Sequence, residues 1–271
     1  MMEIAISLAV IGIALVAIIG VLPIGMNVQR DNRQETIVNQ DASVLIEDIR
    51  NGALGANDLT NYVFAITNSW AAFGRSGGVT ASGVNWYTFT KSAIANNYYI
   101  PQQANTMPLT NGVNIIGVLS TPEFTDFNGN PASTLFNGGF SNHIVASVYS
   151  ISGLAIQKPP QDNQIMQQDS FAYRLYVVNA PMPFDTNNLV FVQTNSSPRA
   201  FADQMNAGLH ELRLTFLFPL LPNGRIGSGQ PKTFRTLVAG QLSYQPNIPN
   251  SAIGYNDNLY MYQSQSFVNS P

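Results

Sequence analysis

The chain of 271 residues contains no cysteine. That excludes cysteine-ligated metal centres, thiol catalysis and redox switching. It also removes the disulfides on which many secreted domains rely, so any folded head must be held by its core, by bound ions or by packing between subunits. Charge is the second scarcity: 10% of the residues are charged, with 12 Lys and Arg against 15 Asp and Glu. No two basic residues are adjacent, which leaves no electrostatic footprint for phosphate and argues against nucleic acid as a partner. Gly, Pro, Asn, Ser, Thr and Gln supply the polarity instead. Such a composition suits a protein outside the cell, or packed against copies of itself, better than a highly charged cytosolic enzyme.

Histidine is nearly missing too. His143 and His210 are the only two, far apart and each in a strand-like stretch. A Ser-His-acid triad would need a nucleophile frame such as Gly-x-Ser-x-Gly, which the chain lacks, and His210-Glu211 has no second histidine at zinc-helix spacing. The glycine-rich GRSGG at 74–78 has neither the lysine nor the strand-to-helix context of a phosphate cradle. No enzymatic activity and no cofactor are expected.

What is present is concentrated in the first fifty-two residues. From Ile4 to Met26 there is no charge, and Ser7 carries the single hydroxyl. As a helix rising ~1.5 Å per residue, this run spans the hydrocarbon core of a bilayer, roughly 30 Å thick. Glu3 stands at its start, where a carboxylate is costly in lipid unless it meets a cation or the headgroups. Gly12, Gly20, Pro23 and Gly25 lie inside the run. Proline removes the hydrogen bond to the carbonyl of Ile19 and glycine weakens a helix, so Gly20–Gly25 is the predicted place for a kink or for melting.

From Asn27 onward charges of both signs appear, while Ile37, Val38, Ala42, Val44, Leu45 and Ile49 keep a stripe at three- and four-residue spacing. This predicts one long helix, apolar in residues 1–26 and amphipathic in residues 27–52, ending at Asn51-Gly52 as a left-handed cap.

An acid followed by a long apolar run, a Gly20-Val21-Leu22-Pro23 step and an amphipathic continuation resemble bacterial type IV pilins and the related type II secretion pseudopilins, in particular a large-headed branch. HELRLTFLFPLLPNG and KTFRTLVAGQL are similar to that branch with less specificity. The resemblance implies a long N-terminal helix packed on a β-rich head, an α+β fold. It further implies a structural role: a major subunit of a pilus-like filament whose apolar helices bundle at the centre. On this resemblance Glu3 pairs with the N-terminal ammonium of a neighbouring copy and sets axial register, and Gly20, Pro23 and Gly25 unwind on leaving the membrane. The partners implied are the chain itself, a prepilin peptidase, an assembly ATPase and an inner-membrane platform. The implied location is the inner membrane first and the cell surface afterwards. In that family the mature chain begins with a methylated amine and the acid is its fifth residue. Here the acid is Glu3, with no basic leader ending in Gly before it, so the register of the mature terminus stays open. The absence of a disulfide is a further departure. A pseudopilin or minor pilin shares the same helix and is the alternative; a membrane-anchored periplasmic enzyme or binding protein is a different class.

Residues 53–271 read as one β-rich head. Strands are predicted over Tyr62–Thr67, Val84–Lys91, Val113–Leu119, His143–Gln157, Phe171–Asn179, Leu189–Gln193, Leu209–Leu220, Thr233–Tyr244 and Asn258–Val268. The clearest inward face is Leu212, Leu214, Phe216 and Phe218, opposite Glu211, Arg213 and Thr215. Turn residues at 74–78, 126–131, 158–164 and 222–231 separate them, the last reading as a long hairpin turn, and a short helix is predicted at Arg199–Met205. Asp126, Asn128 and Asn130 alternate as the start of a calcium loop would, without its downstream glutamate; Asn128-Gly129 is equally a hairpin-turn dipeptide, and the turn is the preferred reading. Asn195-Ser196-Ser197 fits an N-glycosylation acceptor that a bacterial protein seldom uses.

Overall fold

The computed structural model describes residues 2–52, 56–88, 106–108, 111–132, 135, 138–152, 171–182, 208–221, 223–246 and 258–263. Its longest element is helix α1 (Met2–Arg50). The helix runs unbroken through Gly20, Pro23 and Gly25, so in the single chain the local weakness there is not expressed as a break. Asn51 donates its N–H to the carbonyl of Glu47 and Gly52 to that of Ile49. Gly52 has φ +65, the left-handed conformation that suits glycine at a helix end. Space forbids any other residue there, because a Cβ would lie 2.5 Å from the carbonyl oxygen of Tyr262.

Among the described residues ten strands follow: β1 (Val63–Phe73), β2 (Val79–Thr88), β3 (Thr106–Pro108), β4 (Phe124–Thr125), β5 (Gly139–Tyr149), β6 (Ala172–Pro181), β7 (Leu209–Leu217), β8 (Lys232–Ala239), β9 (Gln241–Pro246) and β10 (Asn258–Gln263). One sheet is ordered β3-β2-β1-β5-β6-β7-β8, with β4 added on β5. Every pairing in it is antiparallel except β2 with β3. The turn at Gly74–Gly78 joins β1 to β2, and 222–231 lies in the β7–β8 connection, as turn chemistry predicted. Strands β9 and β10 form a separate antiparallel pair.

Two expectations are corrected. The stretch Val113–Leu119, predicted as a strand, is helix α2 (Gly112–Leu119). A short run of Val, Ile and Leu fits either state, and the N-cap decides it: Asn111 Oδ1 accepts the N–H of Asn114 at 2.8 Å, satisfying a donor that a helix start leaves orphaned. Gly117 then lets α2 lie against β10, since a Cβ there would meet that of Leu259 at 2.9 Å. The single strand predicted over Thr233–Tyr244 is two strands in two sheets. Gly240, with φ +135, turns the chain between β8 and β9 and donates its N–H to the carbonyl of Gly208. Smaller differences concern strand ends: β1 reaches Phe73, β5 begins at Gly139 and ends at Tyr149, and β7 stops at Leu217.

The main core lies between one face of the large sheet, the second half of α1, helix α2 and the β9–β10 pair. Val38, Ala42, Leu45 and Ile49 of α1 are completely enclosed, each Val, Leu or Ile contributing about 1.5–3 kcal/mol by its removal from water. The register of β6 with β7 puts Leu212, Leu214 and Phe216 inward with Leu175 and Val177. Val44, expected on the buried stripe, is 39% exposed, and Ile46 packs on the core instead. The opposite sheet face carries a small second cluster around Phe64, Tyr149, Ala172 and Leu220. A bulge in β1 between Val63 and Ala65 aims Phe64 at that side. Beyond the cluster this face is polar or half-exposed, with Thr67, Ser147, Arg174, Tyr176, Arg213 and Thr215.

Candidate functional site

The first half of α1 is an apolar surface on which no other described residue lies. Ile4, Leu8, Ile11, Leu15, Ile18 and Ile19 are each more than half exposed, and so is Met26. This is a helix long and apolar enough to cross a membrane, a fitness that a secretory signal segment shares. Glu3 is exposed at its start, and its carbonyl accepts the hydroxyl of Ser7 at 2.9 Å. Gly12, Gly20 and Gly25 are equally uncovered, since a Cβ at any of them would meet nothing within 4 Å. Each interior glycine costs a helix about 1 kcal/mol relative to alanine, and packing within this chain supplies no reason for them. Glu3 and these three glycines all lie in the uncovered half of α1.

The second half of α1 is fixed to the head by a buried acid. Asp41 is 0% exposed. Its carboxylate accepts the N–H groups of Ile151 at 3.0 Å and Ser152 at 2.8 Å, together with a very short bond from the Ser152 hydroxyl. The same hydroxyl also lies 3.3 Å from the carbonyl of Ile37. These contacts cap the chain where it leaves β5 and satisfy donors that burial would otherwise strand. A second tie, the Lys232–Glu35 ion pair between β8 and α1, is partly exposed and worth about 0–1 kcal/mol. Asp41 was legible only as one charge among many. The signal that could have singled it out is its place three residues after Val38 and directly before Ala42, on the apolar side.

The other sequence candidates lie apart from this surface. Asp126, Asn128 and Asn130 do come together, as a turn built on one carboxylate. Asp126 Oδ1 accepts the N–H groups of Asn128 and Asn130, both at 2.8 Å, and Oδ2 accepts the Asn130 amide at 2.9 Å. Gly129 takes φ +90, and its carbonyl accepts the Tyr260 hydroxyl at 2.7 Å. The carboxylate is thereby turned toward N–H donors of its own loop. His143 is exposed on the outer sheet face, its ring centroid 5.5 Å from that of Tyr176. His210 is fully buried on the inner face against Tyr262. The two are on opposite sides of the sheet and share no site. Among the described residues no three His, Asp or Glu side chains gather at metal-binding distance.

Three buried phenols of the head are strongly perturbed. Burial raises Tyr173, Tyr260 and Tyr262 above the usual value near 10, and the charge of Asp41 adds to the rise at Tyr173. Tyr262 donates to Asn179 Oδ1 at 2.6 Å, and the Asn179 amide donates to the carbonyl of Ser120 at 2.6 Å, so β10, β6 and α2 share one polar chain. Up to pH about 10 both folded and unfolded states hold these protons and stability is at its full value. Above it the unfolded state releases them while the folded state does not, and stability falls by about 1.4 kcal/mol per pH unit for each tyrosine. Cooperative alkaline unfolding is expected between about pH 10 and 12, with phenolate absorbance rising together with the loss of circular dichroism. Phenolate appearing while the fold persists would contradict this.

Asn195, the Leu189–Gln193 strand, the Arg199–Met205 helix and the 158–164 loop lie outside the described residues. Comparison with protein-family models, with curated proteins and with solved structures finds no match to this chain.

Proposed function

We propose that this chain is a structural, non-catalytic subunit of a pilus-like extracellular filament, of the kind its first fifty residues resemble. The observation that carries the reading is the division of α1: its second half is locked into the head by Val38, Asp41, Leu45 and Ile49, and its first half is bare and apolar. Surface of that size must be covered by lipid or by protein of similar character. Copies of the same helix meet that need, and the three open glycines let neighbouring helices approach closely, as small residues do in membrane bundles. Burial at about 25 cal/mol per Å² drives the exchange of lipid neighbours for protein neighbours. Glu3 then answers the ammonium of an adjacent copy, and the Gly20–Gly25 stretch gives way locally as the subunit leaves the bilayer. The chain is held in the inner membrane before assembly, is processed by a prepilin peptidase, and is raised by an assembly ATPase on a membrane platform.

Electron microscopy of the sheared cell-surface fraction, with mass spectrometry of its main band, is expected to show long filaments made of this chain. Short periplasmic assemblies or trace amounts at filament tips would favour a pseudopilin or minor pilin, which shares the helix. Recovery of the chain solely as a lone membrane anchor would overturn the proposal.

A further inference from the structure

The outer sheet face, which the filament reading leaves unused, holds a cavity of about 310 Å³. Its floor is two neighbouring rows of the pleat. One row crosses four strands through Trp86, Thr67, Val145 and Tyr176; the other passes through Ala65, Ser147 and Arg174. At the usual strand spacing, Trp86 and Tyr176 stand about 14 Å apart, two aromatic side chains flanking a trough of small ones. Leu220 and Gly224, from the connection that follows β7, close one end.

The chemistry of this lining is one-sided. Among the described residues that line it, Arg174 is the single charged one. Its Nη2 donates to the carbonyl of Gly224 at 3.1 Å, which steadies a planar fork carrying five N–H donors in all. The indole N–H of Trp86 is buried and has no acceptor among the described residues, an arrangement folding does not favour by itself. The hydroxyls of Ser147 and Tyr176 add donors, that of Thr67 being given to the carbonyl of Val145 at 3.3 Å, and among the described residues the lining holds no acid. We propose that it binds a sugar ring bearing a carboxylate, as in an acidic saccharide. The guanidinium takes the carboxylate through paired N–H···O bonds, the aromatic side chains take the apolar face of the ring, and the hydroxyls meet those of the sugar. A volume of this size is at the lower end for small-ligand sites and holds one or two rings. The site belongs to the single chain and does not depend on whether that chain polymerises.

The test uses the full-length chain in detergent micelles, titrated with tri-galacturonate, neutral galactotriose and acetate. Trp70 and Trp86 are the only indoles, so Trp86 fluorescence reports occupancy. Saturable quenching by tri-galacturonate is expected, with galactotriose and acetate each weaker by about tenfold or more, the size of a lost charged, bidentate contact. Arg174→Gln should lose the preference for the acidic sugar and Arg174→Lys should keep part of it, while Trp86→Phe should remove the signal, all three melting as the parent does. Equal affinity for acidic and neutral trisaccharides, acetate binding as well as either, unchanged binding by Arg174→Gln, or no saturable change would each overturn the assignment.

Discussion

Replacing Asp41 with alanine is expected to destabilise the head by about 3–5 kcal/mol, as much as truncating the buried Leu45 or Ile49 beside it. The substitution removes a carboxylate that accepts two backbone N–H groups and one hydroxyl in a fully buried place. Hydrogen bonds to a charged group are worth about 1.5–3 kcal/mol each, and a buried donor left without an acceptor carries its own desolvation penalty. Water entering the small space left by the carboxylate recovers part of that. For a head of this size the melting temperature should fall by roughly 6–20 °C. Asp41→Asn is the informative companion: its amide oxygen still accepts, but its NH₂ points donor at donor, so it should recover well under half of the loss. Thermal melts followed by near-ultraviolet circular dichroism check both variants. A loss below about 1 kcal/mol for Asp41→Ala would mean that the apolar stripe alone holds the helix to the sheet.

The second large effect concerns assembly. If the chain assembles as proposed, Glu3→Ala should abolish or severely thin filaments while leaving the head folded, because Glu3 is exposed and touches no part of the core. On the proposed packing, the variant leaves each neighbouring ammonium buried without its counter-charge. Breaking a buried pair from one side costs about 3–5 kcal/mol, which lowers the association constant per subunit by two to four powers of ten, at about 1.4 kcal/mol for each. On that packing the pair would add little net attraction against an apolar contact of the same shape, and its work would be to choose one register among many. Glu3→Gln should therefore fail nearly as badly as Glu3→Ala. Filament yield is read by shearing, sedimentation and electron microscopy, and a normal yield from Glu3→Ala would remove the pairing from the proposal.

Much of the architecture was legible because it rests on local periodicity. The apolar run, the stripe at Val38, Ala42, Leu45 and Ile49, and the Asn51-Gly52 cap predict α1 almost to the residue. Alternation at Leu212, Leu214 and Phe216 predicts β7 and its inward face. The misreadings came where a short-range pattern is compatible with two states. Val113–Leu119 is apolar apart from Asn114, its run from Ile115 to Leu119 is enclosed against β10 and the rest of the core, and only the Asn111 cap separates it from a buried strand. Thr233–Tyr244 alternates smoothly across Gly240, and the change of sheet there is made by a backbone angle that side-chain pattern does not record. The pairing of β1 with β5 joins residues about seventy-five apart along the chain, as with Asn68 and His143. For the same reason the trough under Trp86, Thr67, Val145 and Tyr176 has no counterpart in the sequence: four residues from four strands become neighbours only once the register is set. Asp41 was visible as a charge but its role was not, because its partners come from the far end of β5.

The way α1 meets the head also decides how the molecule would carry tension. Asp41 holds the end of β5, Glu35 holds the start of β8, and the Gly52 cap abuts the carbonyl of Tyr262 in β10. A pull along the rod is therefore shared between two bonded ties, at Asp41 and Glu35, and the close packing of Gly52 on β10. A joint that shares its load yields only when its fastenings fail together, whereas one that peels gives way singly. A fibre built from such units would transmit traction through its heads without unzipping the seam between rod and head.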